Sequence, residues 1–305
     1  MSNAGLMARR VNRIRRKPAE IIFDTFNYTF LTVLMIVTIF PFIYVINSSI
    51  SDPIILMQTK GIMLFPRGIQ FYAYSHVFQN PMIIRGYGNT LFLVTVGTSL
   101  NLAMTAIGAY VLSRQHFMLR NPIMLFIAFT MFFSGGLIPN FILVRNLGIY
   151  DTFAALLLPG AMSAWNLVIM RTAFSTIPIS LEESARLDGA MEITILFRIV
   201  IPLSMPVISV MILFYGVGHW NSWFSAMIYL RTRDNYPLQL ILREVLLASQ
   251  TDDMLLDMLD DSKRPGLKEL VKYATIIVAT VPVLMIYPFL QRFFVKGVMI
   301  GAIKA

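Results

Sequence analysis

The stretch "ISLEESARLDGAMEITILFRIVIPLSMP", Ile179 to Pro206, is polar, yet it lies between apolar runs long enough to cross a bilayer. It holds four carboxylates and two arginines, with a Gly near its middle and a Pro at its end. Pro178 marks a break ahead of it. Ser180-Leu-Glu-Glu183 fits a capping box, with Ser180 as N-cap and Glu183 reaching back to the cap amide. Acids at 182 and 183 also suit the positive end of a helix dipole. Leu187-Asp188-Gly189 supplies a stop, because Gly takes the left-handed conformation without penalty. From Ala190, Ile193, Leu196, Phe197, Val200 and Ile201 recur at mostly helical spacing up to Pro202. The pattern predicts a short exposed helix, a turn, and an amphipathic helix leading back to the membrane. A helix of about ten residues is marginal alone in water, so the segment is expected to fill a groove on a partner.

Composition sets the context. Hydrophobic residues make up 57% of the 305 positions and charged residues 13%, with mean hydropathy +0.69. Soluble domains carry about twice that share of charge, so the chain lacks the polar surface to coat a globule in water. It reads as an all-α integral membrane protein. Net charge is +9, but the basic residues flank apolar runs and form neither a zinc-finger nor a basic-zipper pattern. Membrane orientation explains them, and no nucleic acid is expected. With no Cys, disulfides and Cys metal sites are excluded, and no metal site is expected.

A bilayer core takes about 20 apolar residues per helix. Six runs qualify: Phe26–Ser49, Thr90–Leu112, Ile123–Val144, Thr152–Phe174, Met205–Leu230 and Lys272–Leu290. Pro159-Gly160 interrupts the fourth, a break tolerated where neighbours satisfy the freed backbone. Arg9, Arg10, Arg13, Arg15, Arg16 and Lys17 precede the first run, so the N-terminus is expected in the cytoplasm. Alternation then puts Arg114, Arg120 and the opening segment inside, with Arg292, Lys296 and Lys304 in an inside tail. The organisation expected is a basic N-terminal segment (1–25), a six-span domain (26–291) containing the polar segment (178–206), and a C-terminal tail (292–305). The first run is too long for a signal-peptide core. The 51–89 loop is long enough to fold as a small cap.

The carboxylates lie outside the expected spans, and the clearly internal ionisable residue is His219. Ion-coupled pumps usually need an intramembrane acid. There is no Gly-Lys-[Ser/Thr] phosphate cradle either. If the chain moves solute uphill, another chain supplies the energy.

Glu183-Ser184-Ala185, three residues, Gly189, nine residues, Ile199, one residue, Ile201-Pro202 closely resembles the EAA loop of bacterial ABC-importer permeases. That pattern is E-A-A-x3-G-x9-I-x-L-P; Ser184 stands for Ala and Ile201 for Leu. "TAFSTIPISLEESARLDGA", "MFFSGGLIPNFILVRNLGIYDT" and "QRFFVKGVMIGAIKA" extend the resemblance over most of the chain, towards the carbohydrate-uptake branch that takes oligosaccharides such as alginate or aldouronates. The resemblance implies the MetI-like permease fold of six transmembrane helices with a cytoplasmic EAA coupling helix. It implies a location in the bacterial inner membrane, and no cofactor or catalysis of the chain's own. ATP and Mg would sit on two partner ATPases. A second permease (a paralogue in the sugar branch) and an external solute-binding protein complete the set. Glu182, Glu183, Ser184, Ala185, Arg186, Asp188 and Gly189 would dock on the ATPase, Gly189 making the turn. The plainer reading is that Glu183 is a cap and Gly189 a stop.

For the solute, "GVGHWNSWFSAMIYL" (216–230) gathers aromatics and amides in one run. Sugars stack their apolar faces on aromatic rings, so Trp220, Asn221 and Trp223 are pathway candidates, with His219 and Asn166. The rival readings are an interfacial aromatic belt for the tryptophans and a bonded packing residue for His219. Asp252, Asp253, Asp257, Asp260 and Asp261 form an acidic outer loop, read as a solvated face that could meet a binding protein. A peptide or phosphate importer, an ion-coupled secondary transporter and a membrane enzyme are the alternative functions.

Overall fold

The computed structural model describes residues 17–59, 61, 63–256 and 267–302, and among these it is helical with no strand. Most of the basic N-terminal segment, and Asp257, Asp260 and Asp261 of the acidic loop, lie outside the described residues. Helix α1, Pro18–Ser49, begins before the expected span, with Pro at its first turn and the Glu20 carboxylate accepting from the Lys17 N–H at 3.1 Å. Thr25, Thr29, Thr32 and Thr38 each donate a hydroxyl to the carbonyl one turn back. This hides the hydroxyls on an otherwise apolar rod.

The stretch expected to fold as a cap carries two short helices. α2 (Pro53–Gln58) is capped by Asp52, which accepts from the N–H groups of Ile54 and Ile55, and α3 (Tyr72–Gln79) follows. Leu56, Met63, Ala73 and Val77 are buried in one cluster with Leu238, Ile241, Leu270 and Ala274. The last four come from α13 (Leu238–Leu256) and α14 (Leu267–Ala302). The expected tail, 292–302, continues α14 as helix.

Between cap and tail run α4 (Pro81–Ser113), α5 (Arg120–Phe132), α6 (Leu137–Asn146), α7 (Ala154–Leu157), α8 (Ala164–Phe174), α9 (Ile179–Leu187), α10 (Glu192–Leu203), α11 (Met205–Trp220) and α12 (Trp223–Tyr229). Among the described residues, three helices are long and apolar enough to cross a membrane: α1, α4 and the 269–286 stretch of α14. The pairs α5–α6, bent by 115°, and α10–α11, bent by 89°, each add one if counted as a broken span. The described residues thus account for three to five of the six expected spans.

The departures have local causes. The expected third span turns sharply at Ser134-Gly135-Gly136, where Gly136 takes φ 82°, open to Gly at no steric cost. The expected fourth span is the one without a crossing helix. It breaks at Pro159-Gly160 into α7 and α8, and α8 has 11 residues, about 16 Å against a core of about 30 Å. The loose backbone is satisfied from neighbours. The Asn101 amide donates to Gly160 O at 2.6 Å, and the Ser163 N–H donates to the Tyr215 hydroxyl at 3.2 Å. The expected fifth span stops at Trp220 and restarts at Trp223. Two wide π turns, Leu93–Gly97 in α4 and Leu196–Val200 in α10, each carry a surplus residue. A second core joins Ala106, Ala109 and Tyr110 of α4 to Leu167, Met170 and Phe174 of α8, Ile195 and Val200 of α10, and Met211 of α11.

Candidate functional site

The 178–206 segment forms a helical tip standing on this second core. α9 starts at Ile179 with Pro178 as N-cap and no side-chain cap bond. The expected capping box is therefore absent. Pro178 already holds the extended conformation of a cap (ψ 129°), which leaves Ser180 inside the first turn, where its carbonyl accepts from the Ser184 hydroxyl at 2.9 Å. The stop is as expected. Gly189 has φ 80°, its N–H donates to Arg186 O at 3.0 Å, and the Ala190 N–H donates to Ala185 O at 2.9 Å. These two bonds make a Schellman motif. α10 then begins at Glu192, after Met191 as cap.

Glu182 and Glu183 are neighbours in sequence with opposite fates. Glu183, Ser184, Asp188 and Gly189 are exposed, and Ala185 and Arg186 are partly covered. Leu187 and Met191 stand out at 90% and 75% exposure. Glu182 is fully buried, at 0%. Its Oε1 lies 2.5 Å from Arg114 Nη1, at the C-terminal end of α4, and its Oε2 lies 3.9 Å from Arg186. Arg186 grips Glu192 with two N–H groups at 2.8 and 3.2 Å, and the Tyr110 hydroxyl donates to the same carboxylate at 2.5 Å. The Arg114 guanidinium stacks on the Tyr110 ring at 4.7 Å, closing a ring of five side chains. Burial pushes the Glu182 carboxyl up from its ordinary range, while the Arg114 and then the Arg186 guanidinium pull it back. Neither Glu182 oxygen makes an aligned hydrogen bond, and Arg114 Nε and Nη2 have no partner among the described residues. The pair holds by charge, which counts for more in a buried setting.

Glu182, expected on the docking face, is thus buried within the chain, where it ties α9 to Arg114 at the end of α4. Tyr110, Arg114 and Glu192 were not singled out from sequence. Arg114 read there as a charge that sets topology, and nothing local announces that it meets a carboxylate on a distant segment.

The pathway candidates do not converge on one site. Asn166 is buried at the first turn of α8, its N–H donating to Ser163 Oγ at 3.4 Å. His219 bonds Asn101 at 2.7 Å. Since Asn101 donates its amide to Gly160 O, its oxygen faces the imidazole and Nε2 carries the proton. His219 thus takes the packing role. Asn101, also unflagged in sequence, locks α4, the 158–163 break and α11 together. Trp220 is 4% exposed, with its indole N–H donating to Ala279 O at 3.2 Å and its ring edge-on to Tyr87. It walls a mostly apolar cavity of about 440 Å³ with Val94, Leu213, Gly216 and Val283, where Thr95, Thr98 and Ser99 are the hydroxyl residues. Trp220 is a core residue, and Trp220→Ala will lower stability by about 3–5 kcal/mol, read as earlier thermal unfolding in detergent. An unchanged melting temperature would return Trp220 to the pathway. Asn221 and Trp223 are exposed.

Comparison with known proteins agrees with this architecture. Residues 102–300 match the family model described as "binding-protein-dependent transport system inner membrane component". The chain is 38% identical over 294 residues to Protein LplC of Bacillus subtilis (strain 168), covering 96% of this chain and 99% of the relative. It is also 38% identical over 284 residues to the polygalacturonan/rhamnogalacturonan transport system permease protein YtcP of the same organism, covering 93% and 98%. A crystal structure of a bacterial ABC transporter involved in the import of the acidic polysaccharide alginate contains a chain that superposes with a TM-score of 0.83 at 31% identity, covering 92% of this chain and 99% of that one. The chain belongs to the family of inner membrane components of binding-protein-dependent transport systems.

Proposed function

We propose that this permease subunit forms half of the translocation pathway of an ABC importer for an oligosaccharide, an acidic one such as a galacturonan or alginate fragment. It is moved by ATP hydrolysis on partner ATPases. The observation that carries the coupling role is the exposed α9 tip, closed by the Gly189 turn and tied to α4 through buried Glu182 and Arg114. An apolar knob of Leu187 and Met191, ringed by Glu183, Ser184 and Asp188, has the anatomy of an interface core with a polar rim. Force received there passes through the ion-pair ring to α4, and through α10 to α11. The substrate class is supported by what two of the relatives transport, both acidic polysaccharides by name.

In this reading the tip faces the cytoplasm with both chain ends. A second permease supplies the other half of the pathway, two ATPases grip the two tips, and a solute-binding protein delivers the sugar outside. The test is reconstitution of the four-subunit core in liposomes with its binding protein. Oligogalacturonate should accelerate ATP hydrolysis and enter the lumen, while dipeptides and phosphate do neither. Acceleration by a peptide or by phosphate instead would overturn the carbohydrate assignment. Leu187→Asp puts a charge at the centre of the docking face and should cut ATPase co-purification by about tenfold or more, with the permease still inserted. Undiminished co-purification would remove the tip from the interface.

A further inference from the structure

Helix α11 runs away from the coupling segment, so Trp220 lies about 24 Å from Ser204 along its axis. The chain beyond it therefore sits at the opposite end of the bundle. There Trp223 is 37% exposed and edge-on to Phe224 at 5.5 Å. Arg243 of α13 places its guanidinium 4.6 Å from the Trp223 ring centroid, and its Nη1 faces Met227 Sδ at 2.6 Å.

The nearby acids are already engaged. Asp151 accepts from the N–H groups of Arg231 and Thr232 and from the Thr232 hydroxyl, at 2.8, 2.9 and 2.6 Å. Asp234 pairs with Arg85, and Glu244 with Arg233. Arg243 meets no carboxylate among the described residues. A guanidinium against an indole and a thioether keeps its charge and most of its donor fork unused. The ring fixes its orientation through cation–π attraction, so little rotamer entropy is left to lose when an anion arrives.

We propose that Arg243 and Trp223 form a recognition site for a uronic acid residue of the transported oligosaccharide. The exposed part of the indole takes the apolar face of the pyranose. The guanidinium fork takes the carboxylate through parallel N–H···O bonds, the geometry that arginine matches and lysine does not. The exposed Asn221 amide lies two residues from Trp223, within the same turn of chain, to serve a ring hydroxyl. This inference rests on the oligosaccharide reading and deepens it, because it makes acidity of the sugar a property read by this chain as well as by a binding protein.

The experiment compares an oligogalacturonate with the same oligomer whose carboxyls have been reduced to alcohols, both delivered to the complete reconstituted complex. Wild type should favour the acid form. Arg243→Met, which keeps the stem and removes the charge, should lower uptake of the acid form by about tenfold and leave the neutral form unchanged. Arg243→Lys should fall between. Preserved neutral uptake shows that the variant folds and turns over, and a role confined to packing α12 on α13 would depress both substrates alike. Equal loss on both, or no loss on either, overturns the site. Transport of neutral oligosaccharide alone by wild type also overturns it, but leaves the carbohydrate assignment standing. Transport of neither sugar refutes that assignment, and the site with it.

Discussion

Arg114→Met will destabilise the protein by about 3–5 kcal/mol, the scale for stranding a buried charge, and will do so in a pH-dependent way. Glu182 is fully buried and Arg114 is its nearest cation, Arg186 being 3.9 Å away and committed to Glu192. With Arg114 gone, desolvation dominates and drives the carboxyl further up from its ordinary range. A carboxyl whose folded pKa lies above its unfolded value holds more protons in the native state. Stability therefore falls as pH rises from the unfolded pKa to the folded one. The variant should unfold earliest near neutral pH and regain part of the loss in mild acid. Glu182→Leu in the same background should restore most of the stability, since replacing both members of a buried pair by apolar groups is close to neutral. The non-additivity of the cycle measures the coupling of α9 to α4. Thermal unfolding of wild type, the two single variants and the double variant across pH checks it; Arg114→Met as stable as wild type would show that the pair bears nothing.

Gly189→Pro should abolish coupled uptake while the permease still inserts and binds its ATPase. Proline fixes φ near −65° where the chain needs 80°, and it removes the N–H that donates to Arg186 O. A Cβ at this position meets nothing within 4 Å, so crowding is not the cause. A graded series follows from conformation alone. Asn tolerates the left-handed region and should be mildest, Ala costs about 1–2 kcal/mol there, and Pro is worst. Uptake per ATP hydrolysed should fall in the order Gly, Asn, Ala, Pro, with a drop of about tenfold or more for Pro. Normal uptake by the Pro variant would show that the turn does not set the pose of the tip.

The membrane class, the α1 and α4 rods and the Gly189 turn were legible because each is written locally, in apolar length or in one residue's conformational freedom. The broken elements were half legible. Gly135-Gly136 and Pro159-Gly160 mark breaks, but a hydropathy window averages across them and says nothing about a 115° bend. The inward turn of Glu182 was not legible. Adjacent acids on a helix differ by about 100° of rotation, and which one faces the core depends on where Arg114 arrives from a distant segment. The burial of Trp220 was hidden for a related reason. An aromatic beside Asn and His reads as a sugar platform, whereas the carbonyl of Ala279 that takes its indole N–H is invisible until α14 is in place.

The wide turns at Leu93–Gly97 and Leu196–Val200 bear on how a rod in lipid can swivel. Handing the extra residue one position along the winding twists the stretch it crosses by about 100°, its amides exchanging one carbonyl partner for the next. A pull at the base can thus emerge higher up as a screw motion, which lets a stiff shaft gripped at one end turn its face towards or away from a passing solute.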